Sequence, residues 1–534
     1  MSKIISNLIH SIGEVTSPGP VEEKIVVNTV LSKAALAYEK VRNVLDYKEE
    51  HLFRKNAIYR ILKRKLVLER VILENYLLDY YHQDNVAEHL LRELIRGGYL
   101  IGDVPLKMIE EVDAIILKYN LLFNEIKKLE GRLERKRFDY LMEMEAVEIE
   151  DLLIPATKEK ALVRAMFSVM NSRLQLGDVK LDEKVKEMQL YLACHRALYK
   201  WDEGMLRHLL LTLYYPGWNN ADKALIEKVA NNINKIQLEM ESQLNHPWRR
   251  EIGKIVQRQA VVFWTIQDMI EVNDDDADAV FSNPEKLESE VKKSCERRYK
   301  TVRTKLFGAV ARSIVYVFFT KMILALAIEF PVDYYLSGGV NYFTSAINIS
   351  FPPLLMLIVA ISIRFPKKEN TAKILDETKQ IVFGSGEEKK YVLKAPRKRG
   401  IVTKFIFNLI YIVTFLFSIA VICWLLYQIH FNVASAFIFV LFLTLVSYFG
   451  IRIRRPVQEI MAVERRATLS GALIEFFALP FVSMGRWMSG KFSKINFIIF
   501  FLDFIIEAPF KLLINVIEDL FGFLKEKKDE AMGE

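Results

Sequence analysis

The chain has 534 residues, 51% hydrophobic and 26% charged, with a formal net charge of +8. That balance excludes a disordered chain, and 22 Gly with 15 Pro exclude collagen-like and Pro-rich classes. Three scattered cysteines, Cys194, Cys295 and Cys423, argue against a disulfide scaffold or zinc ribbon, and a mean hydropathy of +0.13 is what averaging a water-soluble half with a membrane half would give.

Ile4, Ile5, Leu8, Ile9 and Ile12 share one face of a short opening helix, whose apolar run is too short for a signal peptide. A helical pattern runs from about Tyr47 to Ile95, carried by Ile58, Ile61, Leu62, Leu66, Ile72, Tyr76 and Leu77, and Gly97-Gly98 stops it. Asp103 and Pro105 mark the start of another long helix, to about Ile149. Further helices are expected over residues 155–176, 183–215, 221–244 and 248–272. Residues 1–305 therefore read as a cytoplasmic all-α bundle or an elongated, coiled-coil-like array.

After Lys305 the expected solvent changes. Residues 306–330 and 346–364 are apolar, and the link between them holds no Lys or Arg. Residues 401–427 and 433–451 form a second such pair, again with a basic-free link. Each stretch reaches or approaches the ~20 residues that cross a bilayer as a helix. The segment from Arg364 to Lys404 instead carries 12 Lys+Arg against 5 Asp+Glu, or +7. Arg297, Arg298, Lys300, Arg303 and Lys305 precede the first stretch, and Arg452, Arg454 and Arg455 follow the fourth. Basic flanks on one side and basic-free tips on the other satisfy the positive-inside rule. The expected order is a transmembrane hairpin at 306–365, a basic cytoplasmic loop at 366–400 and a second hairpin at 401–455. Both termini are then cytoplasmic.

Within the loop, residues 380–383 and 389–393 flank Gly384-Ser385-Gly386, a pattern that predicts a small β-hairpin. Arg397, Lys398 and Arg399 are expected at anionic headgroups, where each charge contributes ~1 kcal/mol. Residues 456–534 are read as amphipathic, membrane-associated helices. Residues 472–484 are too short to span and hold Glu475 and Pro480, whereas 495–524 are long enough but striped by Asp503, Glu507, Lys511, Asn515 and Glu518. A six-span alternative would place Arg486, Lys491 and Lys494 on the wrong side.

No catalytic motif is present, so no enzymatic activity is expected. His82 and His89, seven apart, lack a second Glu-x-x-His helix for a metal pair. Asp274, Asp276, Asp278, Ser282 and Glu285 occupy positions 1, 3, 5, 9 and 12 of an EF-hand-like calcium loop. Ala279 at the turn position and Pro284 oppose Ca²⁺, and Ser282 with Glu285 reads equally as a capping box. Lys321 lies near the middle of the first span, where a lysine costs ~2.5–3.5 kcal/mol and calls for a partner; Glu475, Asp503 or Glu507 are candidates. Basic stretches at 54–70 and 127–137 interleave with acidic residues, so no nucleic-acid partner is expected.

These features describe a multi-pass cell-membrane protein, of bacterial inner-membrane type. The expected function is a scaffold or tether whose helical half binds protein partners, with lipid contacts, self-association possible, and no cofactor beyond the Ca²⁺ candidate. The alternative is a transporter or channel whose polar path involves Lys321 and the Asp503/Glu507/Lys511 stripe. Pro352-Pro353, expected to interrupt the second span, favours that alternative.

Overall fold

The structure, a computed structural model, describes residues 1–13, 24–25, 39, 49–72, 86–100, 104–177, 179, 181–273, 276–337, 339, 342–384, 389–394, 400–463 and 469–494. It divides into two compact units: residues 3–256 with 389–394 and 508–534, and residues 1–2, 257–388 and 395–507. The described residues are almost wholly helical.

The first unit contains α1 (Lys3–Gly13), α2 (Glu50–Ile72), α3 (Val86–Arg96), α4 (Lys107–Glu130), α5 (Arg135–Leu153), α6 (Thr157–Arg173), α7 (Glu183–Tyr199), α8 (Glu203–Tyr214), α9 (Lys223–Asn231) and α10 (Ile233–Leu244). Breaks between these helices follow local chemistry. The helix expected from 103 to 149 is two helices, because Gly131 adopts a left-handed φ of 74° and ends α4. Likewise 183–215 is split at Lys200 (φ 54°), after which the Asp202 carboxylate accepts the Met205 N–H at 3.1 Å and caps α8. Asp222 caps α9 in the same way, accepting from Leu225 N–H at 2.9 Å. α4 and α5 pack together, α2 and α8 pack on α5, and α9 packs on α4. Tyr119 and Trp218 are wholly buried between them, edge to face with ring centroids 5.8 Å apart.

The expected β-hairpin is not formed. Residues 380–383 are the last turn of a helix, which Gly384 ends with φ +64°. Ile374, Ile381 and Val382 are buried at helical spacing, so the core-facing period is helical and not the two-residue period of a strand. Tyr391–Val392 (β2) instead pairs in parallel with Leu174–Gln175 (β1) of the first unit.

The second unit includes α11 (Arg249–Asn273), which begins in the first unit, then α12 (Ala277–Ser282) and α13 (Pro284–Leu324). α13 continues through a π turn (Ala325–Glu329) into α14 (Phe330–Ser337). There follow α15 (Tyr342–Ile361), α16 (Lys368–Phe383), α17 (Ile401–Gln428), α18 (Val433–Glu459) and α19 (Leu469–Lys494). Among the described residues, four helices are long and apolar enough to cross a membrane: Pro284–Tyr335, Tyr342–Ile361, Ile401–Gln428 and Val433–Glu459. They are the four stretches expected from the sequence and mark a membrane protein.

α15 runs unbroken through Pro352 and Pro353, contrary to the expected interruption. Such prolines persist in apolar helices where neighbouring groups take over the freed backbone positions. α15 meets α18 closely at Gly450, where any Cβ would stand 2.7 Å from Val359 Cγ1. α19 lies along α18. Gly485 leaves room for the Thr444 carbonyl and Tyr448 Cβ, and Phe477 reaches the Phe417 ring of α17 (6.3 Å).

Candidate functional site: a buried polar cluster in the span-bearing unit

Lys321, Glu329 and Asn348 have no exposed surface at all. The Lys321 ammonium donates to Glu329 Oε1 and lies 5.2 Å from the centroid of the Phe442 ring. Asn348 Nδ2 donates to Glu329 Oε2 at 2.8 Å and to the Ser435 carbonyl at 3.4 Å. One turn beyond Glu329, the Asp333 carboxylate accepts from Asn432 Nδ2, and Asn432 Oδ1 in turn caps α18 by accepting the Ser435 N–H at 2.7 Å. Lys321, Glu329 and Asp333 belong to the first span, Asn348 to α15, and Asn432 and Ser435 to the start of α18. The cluster thus sits toward the basic-free end of the helices.

The π turn explains how Lys321 finds Glu329. In an unbroken α-helix residues eight apart lie about 80° apart around the axis. A π turn inserts one residue into the hydrogen-bond register, here with Phe330 N–H bonded to the Ala325 carbonyl, and rotates the residues beyond it by about 100°. Glu329 is thereby returned to the Lys321 face. Within apolar surroundings a lysine and a carboxylate are tolerated only when paired and hydrogen-bonded, and removing one partner from such a pair costs ~3–5 kcal/mol.

The opposite, basic-rich end is held by hydrogen bonds. Asn370 on α16 donates to the Ile460 carbonyl at 2.9 Å and accepts from the Ala462 N–H at 2.8 Å. Arg298 grips Asp268 (2.6 Å) and stacks over Trp264. Lys292 (2.8 Å) and Lys379 (2.7 Å) both bond Glu288.

The other sequence candidates fare differently. Lys321 is buried and its partner is Glu329, which is not among the candidates the sequence suggests. Asp503, Glu507, Lys511, Arg397, Lys398, Arg399 and Asp274 lie outside the described residues, as does the side chain of Glu475. Of the EF-hand-like candidates, Asp278 and Ser282 lie within α12, which Asp276 directly precedes, and Glu285 is in the first turn of α13. The α13 cap is Asn283 and not Ser282, accepting from the N–H groups of Glu285 (2.9 Å) and Lys286 (3.3 Å). Among the described residues no three His, Cys, Asp or Glu side chains are grouped to hold a metal.

The first unit has its own buried charges. Lys118 donates to Glu148 and to the Trp218 (3.0 Å) and Asn219 (3.1 Å) carbonyls, and His208 Nε2 is 3.4 Å from Glu148 Oε2. Burial acts to raise the Glu148 pKa, but His208 and Lys118 outweigh it and hold the carboxyl below its ordinary value. Burial, with the Glu148 charge beside it, drives Glu145 well above the carboxylate range. A cavity of about 750 Å³ opens over Lys118 and Glu148. Its other charged walls, Glu111 and Asp151, pair with Lys107 (3.3 Å) and Lys160 (2.6 Å).

Comparison with protein-family models, with curated proteins and with solved structures finds no match.

Proposed function

We propose that the chain is a multi-pass cell-membrane protein with cytoplasmic termini, of bacterial inner-membrane type, whose helical unit holds protein partners at the membrane. The observation that carries this reading is the closure of the Lys321–Glu329–Asn348 cluster. Its charges cancel, it has no exposed surface, and Phe442 lies against the ammonium. A group so enclosed acts as an inter-helix lock, fixing the register of α13, α15 and α18. The exposed faces of α17, including Phe405, Ile412 and Leu416, are then covered by lipid or by a second copy.

The transporter reading keeps one supporting feature, the π turn, since such turns recur at functional sites. Flux separates the two. Purified chain reconstituted into vesicles is expected to pass no tested ion or solute faster than protein-free vesicles. A flux that Lys321→Met abolishes overturns the scaffold reading in favour of transport.

A further inference from the structure

The cavity of about 750 Å³ beside Lys118 and Glu148 falls within the ~300–1,000 Å³ that small-ligand pockets occupy. α4 and α5 form two of its sides. They run antiparallel, since Phe123 packs on Phe138 (5.1 Å) at one level and Lys118 pairs with Glu148 at the next. Glu111, Ala114, Ile115 and Lys118 line it from α4, and Glu148, Asp151 and Leu152 from α5. Steps of three and four put each set on one helix face. The third side is the turn Trp218–Asn220, anchored by the two main-chain carbonyls that Lys118 bonds. Lys118 and Glu148 are buried and form the inner end, whereas Glu111 and Asp151 are partly exposed. Along the helix axes Asp151 stands about 4.5 Å, and Glu111 about 10 Å, further toward the mouth.

The chemistry of the walls selects the occupant. An anion is excluded, because the three protons of the Lys118 ammonium are given to Glu148 and to the Trp218 and Asn219 carbonyls, and among the described residues no other cationic side chain lines the cavity. A bare metal ion is unsuited, since it wants a converging set of ligands and no three His, Cys, Asp or Glu side chains among the described residues are so grouped. There remain two accessible carboxylates, Glu111 and Asp151, set beside the apolar Ile115, Leu152 and Pro155. Lys107 and Lys160 touch these carboxylates from outside the lining. Such solvent-facing pairs hold weakly, and a carboxylate offers about four lone-pair sites, so each can accept further donors.

We propose that this cavity binds an aliphatic organic cation, an ammonium or guanidinium on a short hydrocarbon stem. Glu111 and Asp151 hold the charged head. The stem lies against Ile115, Leu152 and Pro155, in the way lysine and arginine stems lie along apolar surface. A guanidinium suits these acceptors best, because it engages a carboxylate through two parallel hydrogen bonds. The head stays on the mouth side of Lys118, whose own charge repels it from the inner end. A free amine and a basic side chain of a protein partner both offer this chemistry. The inference goes beyond the scaffold reading and does not rest on it.

The test is calorimetry on full-length chain in detergent with agmatine, an ammonium and a guanidinium on one aliphatic stem. The controls are 1,4-butanediol, and NaCl and MgCl2 at matched ionic strength. Agmatine is expected to bind once per chain, with no saturable heat from the diol or the salts, and with affinity that falls as NaCl is raised. Glu111→Gln and Asp151→Asn are each expected to weaken binding about tenfold. Ala114→Phe, which enlarges an exposed residue of the wall, is expected to abolish it. No saturable agmatine binding, equal binding of the diol, or undiminished binding in both Glu111→Gln and Ala114→Phe would each overturn the inference. Should Asp151→Asn fail to fold through loss of its Lys160 bonds, Glu111→Gln still decides, because that side chain is 38% exposed and pairs only along its own helix. A short peptide with one internal arginine, titrated beside agmatine, tells the sources apart: binding of the peptide assigns the cavity to a partner's side chain, and binding of agmatine alone assigns it to a free amine. Vesicle flux tests the scaffold reading separately, so either reading can fail without the other.

Discussion

His195 offers the sharpest quantitative prediction in the helical unit. It is 1% exposed on α7, and neither ring nitrogen has a hydrogen-bond partner. The imidazole instead packs edge to face on Tyr191 (4.8 Å) and nearly flat on Trp201 (4.0 Å). Burial, with Lys160 adding a smaller repulsion, lowers its pKa from 6.5 to about 3. Because the folded-state value is depressed, the unfolded chain takes up a proton below pH 6.5 that the native state refuses. Stability therefore falls with pH at ~1.4 kcal/mol per unit, or ~2 kcal/mol between pH 6.5 and 5, until the folded pKa is reached. His195→Phe keeps a ring between Tyr191 and Trp201 and removes both unmatched nitrogens. The variant should be at least as stable at pH 7 and should lose the acid-dependent part, so the gap between it and the wild type widens by ~2 kcal/mol on going to pH 5. The assay is hydrogen exchange of α7 amides in full-length chain at both pH values, corrected for intrinsic exchange. Other titrating groups, including His89 with its pKa lowered to about 4, contribute equally to both proteins and cancel in the comparison. Equal loss of protection in wild type and variant would refute the reasoning.

Three further outcomes are expected. Glu145 enters the fold protonated because its pKa is raised, so its penalty is present above the unfolded value near 4.5 and fades as pH falls below it; Glu145→Gln should raise the thermal midpoint at pH 7 and have little effect at pH 4. Gly485→Ala should lower the thermal midpoint in detergent, since the new Cβ runs into the Thr444 carbonyl and stands 2.7 Å from Tyr448 Cβ; an unchanged midpoint would mean that α18 and α19 are not this close. Reporter fusions after residues 338 and 432 should both signal from outside the cytoplasm, and a cytoplasmic signal from either breaks the four-span topology.

The spans are legible in the sequence because their signal is compositional. About twenty apolar residues with few charges remain apolar in any register, and no tertiary detail alters that. Helix breaks are less legible, since they depend on single backbone conformations. Gly131 and Lys200 both adopt left-handed φ, yet only the glycine advertises that choice, and a lone glycine is also compatible with a continuous helix. The hairpin fails for a related reason. Gly384-Ser385-Gly386 is a stop signal that serves a helix end as well as a turn, and the buried Ile374, Glu377 and Ile381, at steps of three and four, identify the helix.

The partner of Lys321 is the least legible feature, although it lies only eight residues away. A regular α-helix places Glu329 about 80° and Asp333 about 120° from Lys321, which sends a search for partners to other helices. With one residue taken up by the π turn, both return to within about 20° of the Lys321 azimuth. Ala325, also without exposed surface, fills the interval, so positions 321, 325, 329 and 333 form one buried strip. Two contacts with different helices therefore depend on the same local irregularity: Glu329 with Asn348 of α15, and Asp333 with Asn432 at the start of α18. If the turn relaxed to regular α-helix, both carboxylates would swing away together and the ammonium would be left against Phe442. That coupling makes the π turn, more than any single side chain, the element on which the cluster's geometry depends.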